Sequence, residues 1–318
     1  METPGLGQAM DNAVLLNLTV RVPGNSKRVP TEGVVGDGDL CADQNWISVS
    51  KRLLESAEFD GVRRILGQMK RWLERKCIVP RAVAGREPAL RRFLKSGVYV
   101  LPIGLVAEVD EQIQWFKLDF AEAVDKFLEV YPRLRDAAQE KLKGLFDPLD
   151  YPPPETLRRS FSIESSYLTV GTPQALQNVS AEIFKREQEK AQKQWAEASV
   201  EIRQVLRAGL QDLVTWMADT LKPGEPGKRQ KAFRGSQVEK LMEACGDFGA
   251  KDITNDTELA AVVEKIKGIL GGESVESLQS AAKDESWRSK MAESFASVKA
   301  DLEPLVEEGA IRVLTLRE

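Results

Sequence analysis

Apolar residues recur at three- and four-residue steps along most of the chain, the mark of amphipathic helices. Leu53, Leu54, Ala57, Val62, Ile65, Leu66, Met69, Trp72 and Leu73 predict one or two helices running to about Lys76, interrupted near Asp60-Gly61 and ended by Pro80. A short helix is expected to open at Pro88 and to carry Leu90, Phe93 and Leu94 as far as Gly97. Val98 to Leu101 reads as an extended step, and Pro102 opens a long helix. Its stripe runs through Ile103, Val106, Val109, Ile113, Phe116, Phe120, Ala123, Phe127 and Val130, past a kink at Pro132, and on to Leu134, Ala138, Leu142 and Leu145. The segment PLDYPPPE bars helix before Glu155 and predicts a rigid bend.

Two stretches alternate instead. Ala13 to Val22 (AVLLNLTVRV), stopped by Pro23-Gly24, and Phe161 to Val170 (FSIESSYLTV) predict strands, and the tail AIRVLTLRE is a candidate terminal strand pairing with Leu15 to Val22. From Gln174 to Leu221 there is no proline and only Gly209, so a second long helix is expected. Between Lys185 and Gln194 its stripe holds only Ala191; the helix either projects into solvent there or turns back as a hairpin. The simplest burial for both long stripes is an antiparallel pair. After Lys222 to Ser236, a basic Pro/Gly linker, helices are expected over Gln237 to Cys245, from Asn255 (with Glu258 as its capping-box partner) to Leu270, over Ser274 to Ala282 and over Ser286 to Glu308. The fold expected is mainly α: an elongated, coiled-coil-like antiparallel pair of long helices plus a smaller helical bundle, with a few short strands. The domains expected are 1–49 (strand and Gly-rich loop), 50–221 (elongated helical domain), 222–236 (linker) and 237–318 (small helical domain).

Composition narrows the chemistry. The chain of 318 residues has no histidine, so it offers no Ser-His-Asp or Cys-His pair and no His-ligated zinc. Cys41, Cys77 and Cys245 are odd in number and far apart, which predicts reduced thiols in a cytoplasmic protein rather than a disulfide framework. Gly33, Gly36 and Gly38 match neither GxGxxG nor a P-loop. The N-terminus lacks the pattern of a signal peptide, and no window reaches the ~18 apolar residues that span a bilayer. Glu108, Asp110 and Glu111, or Glu307 and Glu308, would need an oxygen donor from another segment to hold magnesium or calcium. No cofactor, metal or catalytic residue is expected, and a non-enzymatic role is.

Charge supplies the candidate site. From Arg63 to Lys95 eleven Lys or Arg face only Glu74 and Glu87, a local +9 in a chain whose net charge is -4. Arg63, Arg64, Lys70, Arg71, Arg75, Lys76, Arg91, Arg92 and Lys95, with Lys228, Arg229, Lys231 and Arg234 of the linker, are candidates for binding a polyanion or an acidic partner. Arg81 and Arg86 belong to the same run. The plainer alternative is a solvated helix face. Trp72 and Phe93 lie on apolar stripes and are expected in the core, as is the Cys77 thiol.

The stretches GQMKRWLERKCIVP, LRRFLKSGVYVLPIGLVAEVDEQI and FAEAVDKFLEVYPRLRDAAQEKL resemble a bacterial and phage family of unknown function. Its pattern is a basic helix, a Gly-aromatic-x-x-Pro step (here Gly97, Tyr99 and Pro102) and a long helix with Phe-Leu-x-x-Tyr (here Phe127, Leu128 and Tyr131). The likeness covers roughly Ser50 to Leu302. It implies an accessory role beside a MoxR-type AAA+ ATPase and a protein with a von Willebrand A domain. Two functions from different classes follow as expectations: a helical adaptor or scaffold, able to oligomerise through its long helices, or a nucleic-acid-binding protein using residues 63–95.

Overall fold

The computed structural model describes residues 12–29, 46, 48–79, 97–168, 172, 175–222 and 232–315, with side chains described to residue 306. The protein is mainly α with a few short strands. The strands are β1 (Ala13–Arg21), β2 (Ser26–Val29), β3 (Val49–Arg52), β4 (Val98–Pro102) and β5 (Ser162–Leu168). The helices are α1 (Ala57–Lys76), α2 (Val106–Leu142), α3 (Pro154–Arg158), α4 (Ala175–Val179), α5 (Ala181–Leu221), α6 (Gly235–Lys251), α7 (Thr257–Leu270), α8 (Val275–Ala281) and α9 (Glu285–Thr315). The described residues fall into two compact units. One takes Met1–Leu16, Lys76–Val106 and Tyr167–Glu318; the other takes Asn17–Arg75 and Ala107–Ser166. This division crosses the sequential boundaries expected at Ser50, Leu221 and Gln237.

In the second unit the core joins Phe59 and Val62 of α1 to Phe120, Val124, Phe127 and Tyr131 of α2, closed by Tyr151, Leu157 and Phe161. The rings meet edge-on or tilted, Phe59 to Phe127 at 5.1 Å and Phe127 to Phe161 at 5.9 Å, as their quadrupoles favour. Helix α1 starts after Ser56, whose Oγ accepts the Phe59 N–H at 3.2 Å, and runs unbroken through Gly61. Pro132 lies inside α2 on its exposed side, so the carbonyl it leaves without a helical donor can face water. The proline-rich bend is a 3-10 turn, Pro148–Asp150, followed by α3, which begins one residue before Glu155. Side chains fix it: Phe146 stacks on Tyr151 at 4.8 Å, the Tyr151 hydroxyl donates to the Leu53 carbonyl at 2.9 Å, and the Tyr131 hydroxyl to that of Pro152 at 3.1 Å.

The bend delivers Asp150 to β2 and β3, which pair antiparallel with Lys27 opposite Lys51. Both lysines bind its carboxylate, Lys51 at 2.6 Å. Burial pushes the Asp150 carboxyl up, but the hydrogen bonds and charges of Lys27 and Lys51 outweigh it and hold it below its usual value.

In the first unit the late helices share one core: Leu210, Val214, Met217 and Leu221 of α5 pack with Leu241, Val263, Ile266, Phe295 and Val298. This is why the basic linker is no domain boundary. The partner of α5 is α9, whereas the α2 stripe expected to pair with it is buried in the other core. Two bonds show α5 and α9 to be antiparallel, because Arg207 reaches the carbonyl of Leu305 and Arg288 that of Thr220. The 48-residue run is divided at Ser180, extended at φ -161°, whose side chain caps α5 by accepting the Ile183 N–H at 3.3 Å. Through Lys185 to Gln194 the helix is continuous, so the hairpin alternative falls. The tail expected as a strand continues α9 to Thr315. Strand β1 lies between β4 and β5 and has no free edge to offer it.

The start of α7 carries a buried ion pair. Asn255 is left-handed (φ 51°), and Asp256, not Asn255, is the cap, accepting the Leu259 N–H at 3.2 Å. The buried Arg207 guanidinium grips both Asp256 oxygens at 2.6 and 2.8 Å, then Glu258 at 2.7 Å and the Leu305 carbonyl at 3.0 Å. Burial raises the Asp256 carboxyl, yet the bonds from Arg207 and the Leu259 N–H, with the charges of Arg207 and Arg203, bring it below its usual value. Replacing Asp256 by Asn should cost about 3 kcal/mol, as breaking one side of a buried pair does, read as a lower urea midpoint. The contribution is whole above the unfolded carboxylate value of ~3.9 and is lost as pH falls through the lowered folded value. Parent and Asp256→Asn stabilities should therefore converge in acid and differ most near neutrality.

Candidate polyanion and partner interface

At 100° per residue, Arg63, Arg64, Lys70, Arg71 and Arg75 share an arc of about 140° on α1, opposite Val62, Met69 and Leu73. All five are exposed and the three apolar residues are buried. Asp60 and Glu74 lie on the same arc, leaving a face of five cations and two acids. The guanidinium of Arg63 sits 4.6 Å from the Phe59 ring centroid, and Lys70 is 4.0 Å from Glu74. Arg64 and Arg71 form no ion pair with any described residue.

Lys76 departs from this set. It is buried, 2.9 Å from Asp247 and 3.6 Å from Glu243 of α6, with which it shares the first unit. A lysine inside a basic run reads as surface; its position, about 140° round from Arg71, turns it inward. Arg234 is exposed just before α6. Arg91, Arg92, Lys95, Lys228, Arg229 and Lys231 lie outside the described residues, as do Arg81, Arg86, Phe93 and Cys41. Trp72 is half-buried, edge-on to Phe116 at 6.3 Å, and is part of the packing rather than a base-stacking platform.

A second surface, unspecified by any motif, is the first part of α5. From Ala181 to Gln194 no side chain is buried, whereas Trp195, Ala198 and Ile202 beyond it pack with Leu15, Ile78, Val100 and Ile253. Val179 and Ile183 beside it are 77% and 37% exposed.

Among the described residues no group of three or more metal-capable side chains occurs, and no helix is long and apolar enough to cross a membrane. Comparisons of the chain with protein-family models, curated proteins and solved structures give no match.

The two described thiols are buried. Burial pushes Cys77 up to about 12, with Lys251 only partly opposing it, and Cys245 up to about 11. Such values suppress the thiolate at pH 8 by roughly two to three orders of magnitude relative to a free cysteine. In a Cys41→Ser chain, a thiol reagent at pH 8 should therefore label neither cysteine of the folded protein and both after denaturation.

Proposed function

We propose that the chain is a non-enzymatic helical adaptor that presents the first half of α5 to a protein partner. The observation that carries this is the 41-residue helix in which residues 181–194 have no buried side chain, only Phe184, Glu187 and Ala191 being half-buried, while residues 195–221 are locked into cores. An unanchored helix of that length is marginal in water; continuity with the anchored half keeps it formed and available. The resemblance noted above supplies the partners to try first, a MoxR-type AAA+ ATPase and a von Willebrand A-domain protein, and the three scattered cysteines point to the cytoplasm as the compartment. Co-expression with those two proteins from the same genome should yield a complex that survives purification. Replacing Val179 and Ile183 by Asp should abolish it without lowering the thermal midpoint. A chain that purifies alone beside both would end this reading.

The basic face of α1 supports a second reading, binding of a nucleic acid through its phosphates. With about five phosphates neutralised, log K should fall against log salt with a slope of about -4.5 on duplex DNA. Changing Arg64 and Arg71 to Glu should reduce that slope by about 2, alike for every sequence. Fluorescence anisotropy with single- and double-stranded DNA and RNA measures it, and no binding at low salt removes it.

A further inference from the structure

The outward face of α2 is used by neither reading. Within an arc of about 100° it carries the acids Glu108, Glu111, Asp119, Glu122, Glu129, Asp136 and Glu140, all exposed, against two cations, Arg133 and Lys126, the second held by Glu122 at 2.6 Å. In the middle of these acids stand Trp115 and Leu118, one turn apart, 57% and 61% exposed. Buried aromatic anchors ringed by polar residues are what protein interfaces are built around. An exposed Trp-Leu pair with an acidic rim is such an anchor without its cover.

The complementary surface is in the same chain. The face of α1 is basic, and between Arg63, Arg64, Lys70 and Arg71 lies Gly67, half-exposed and without a side chain. A Cβ there would meet the Arg71 guanidinium at 3.4 Å, so the glycine leaves a notch walled by arginine. Gly67 costs helix stability relative to any ordinary residue, and nothing within its own unit needs the space. An indole seated over such a notch gains contact with its floor and cation–π attraction from the guanidinium groups beside it.

We infer that the protein associates with a second copy of itself, the Trp115 face of α2 in one copy packing on the Gly67 face of α1 in the other. The contact joins two different faces; it closes as a dimer when each copy offers both to its partner about a two-fold axis. It is independent of the exposed part of α5, and it competes with nucleic acid for α1.

Sedimentation velocity on the full chain, from low to high micromolar and at low and high salt, tests it. The expected result is concentration-dependent dimer that weakens as salt screens the two faces. Trp115→Ala should weaken association tenfold or more, with the helical circular dichroism unchanged. Gly67→Leu should do the same by filling the notch while raising the thermal midpoint, a combination that general damage to the fold does not produce. Glu111→Lys with Glu122→Lys should give monomer, as should Arg64→Glu with Arg71→Glu, and the chain carrying all four reversals should regain the dimer. A monomer at every concentration in low salt would overturn the inference. So would a dimer indifferent to Trp115 and Gly67, or one that the fourfold reversal fails to restore.

Discussion

Arg207 is the residue on which the late helices depend. It leaves the anchored half of α5, is buried, and is met there by the cap of α7 and by a backbone carbonyl of α9. Lysine would not serve, because a single ammonium cannot present paired, coplanar donors to a carboxylate and still reach two further acceptors. The desolvation of a guanidinium is large and is offset only when every partner is in place. The same carboxylate also caps the start of α7. Helix start, helix pairing and charge burial are therefore one event, and the exposed half of α5 stands because its other half is held in this way.

The modest net charge of the chain conceals how its charges are distributed. Some cations are internal fittings: Lys51 under the proline bend, Lys76 at the end of α1, Arg207 and Arg288 in the late helices. What remains outside is sorted by helix, with a basic face on α1 and an acidic one on α2. Both belong to helices whose opposite sides meet in one core, so burying their apolar stripes necessarily turns these faces outward.

The apolar stripes of α1, α2 and α7 to α9, the strands β1, β4 and β5, and Gly271 as a left-handed stop (φ 61°) were all legible in the sequence, because period and punctuation are local properties. Partnership was not. The stripe of α5 is compatible with any other apolar stripe, and its choice of α9 rests on Arg207 and Arg288, polar residues that periodicity assigns to solvent. Ser180 was missed as a boundary because serine inside a proline-free run carries no break by itself; it acts only when its hydroxyl caps the next turn. The tail was misread since alternation over nine residues does not reveal that β1 already has neighbours on both sides. At the candidate site the basic run was evident, but the inward turn of Lys76 depended on Asp247, 171 residues away.

The chain passes between its two compact units four times, at Leu16, Arg75, Val106 and Ser166. Synthesis therefore cannot finish one unit before starting the other. The unit containing α1 and α2 has all its residues once Ser166 has left the ribosome, and its aromatic core can close while the rest of the chain is still being made. The other unit must keep Ile78 and Val100 waiting for Trp195 and Ile202, and its largest core waiting for Phe295 and Val298. Strand β4 and helix α9 enter the same unit far apart in the order of synthesis. Fragments cut at any single point will for this reason sever at least one unit, and separating them by expression requires joining distant segments, not trimming the ends.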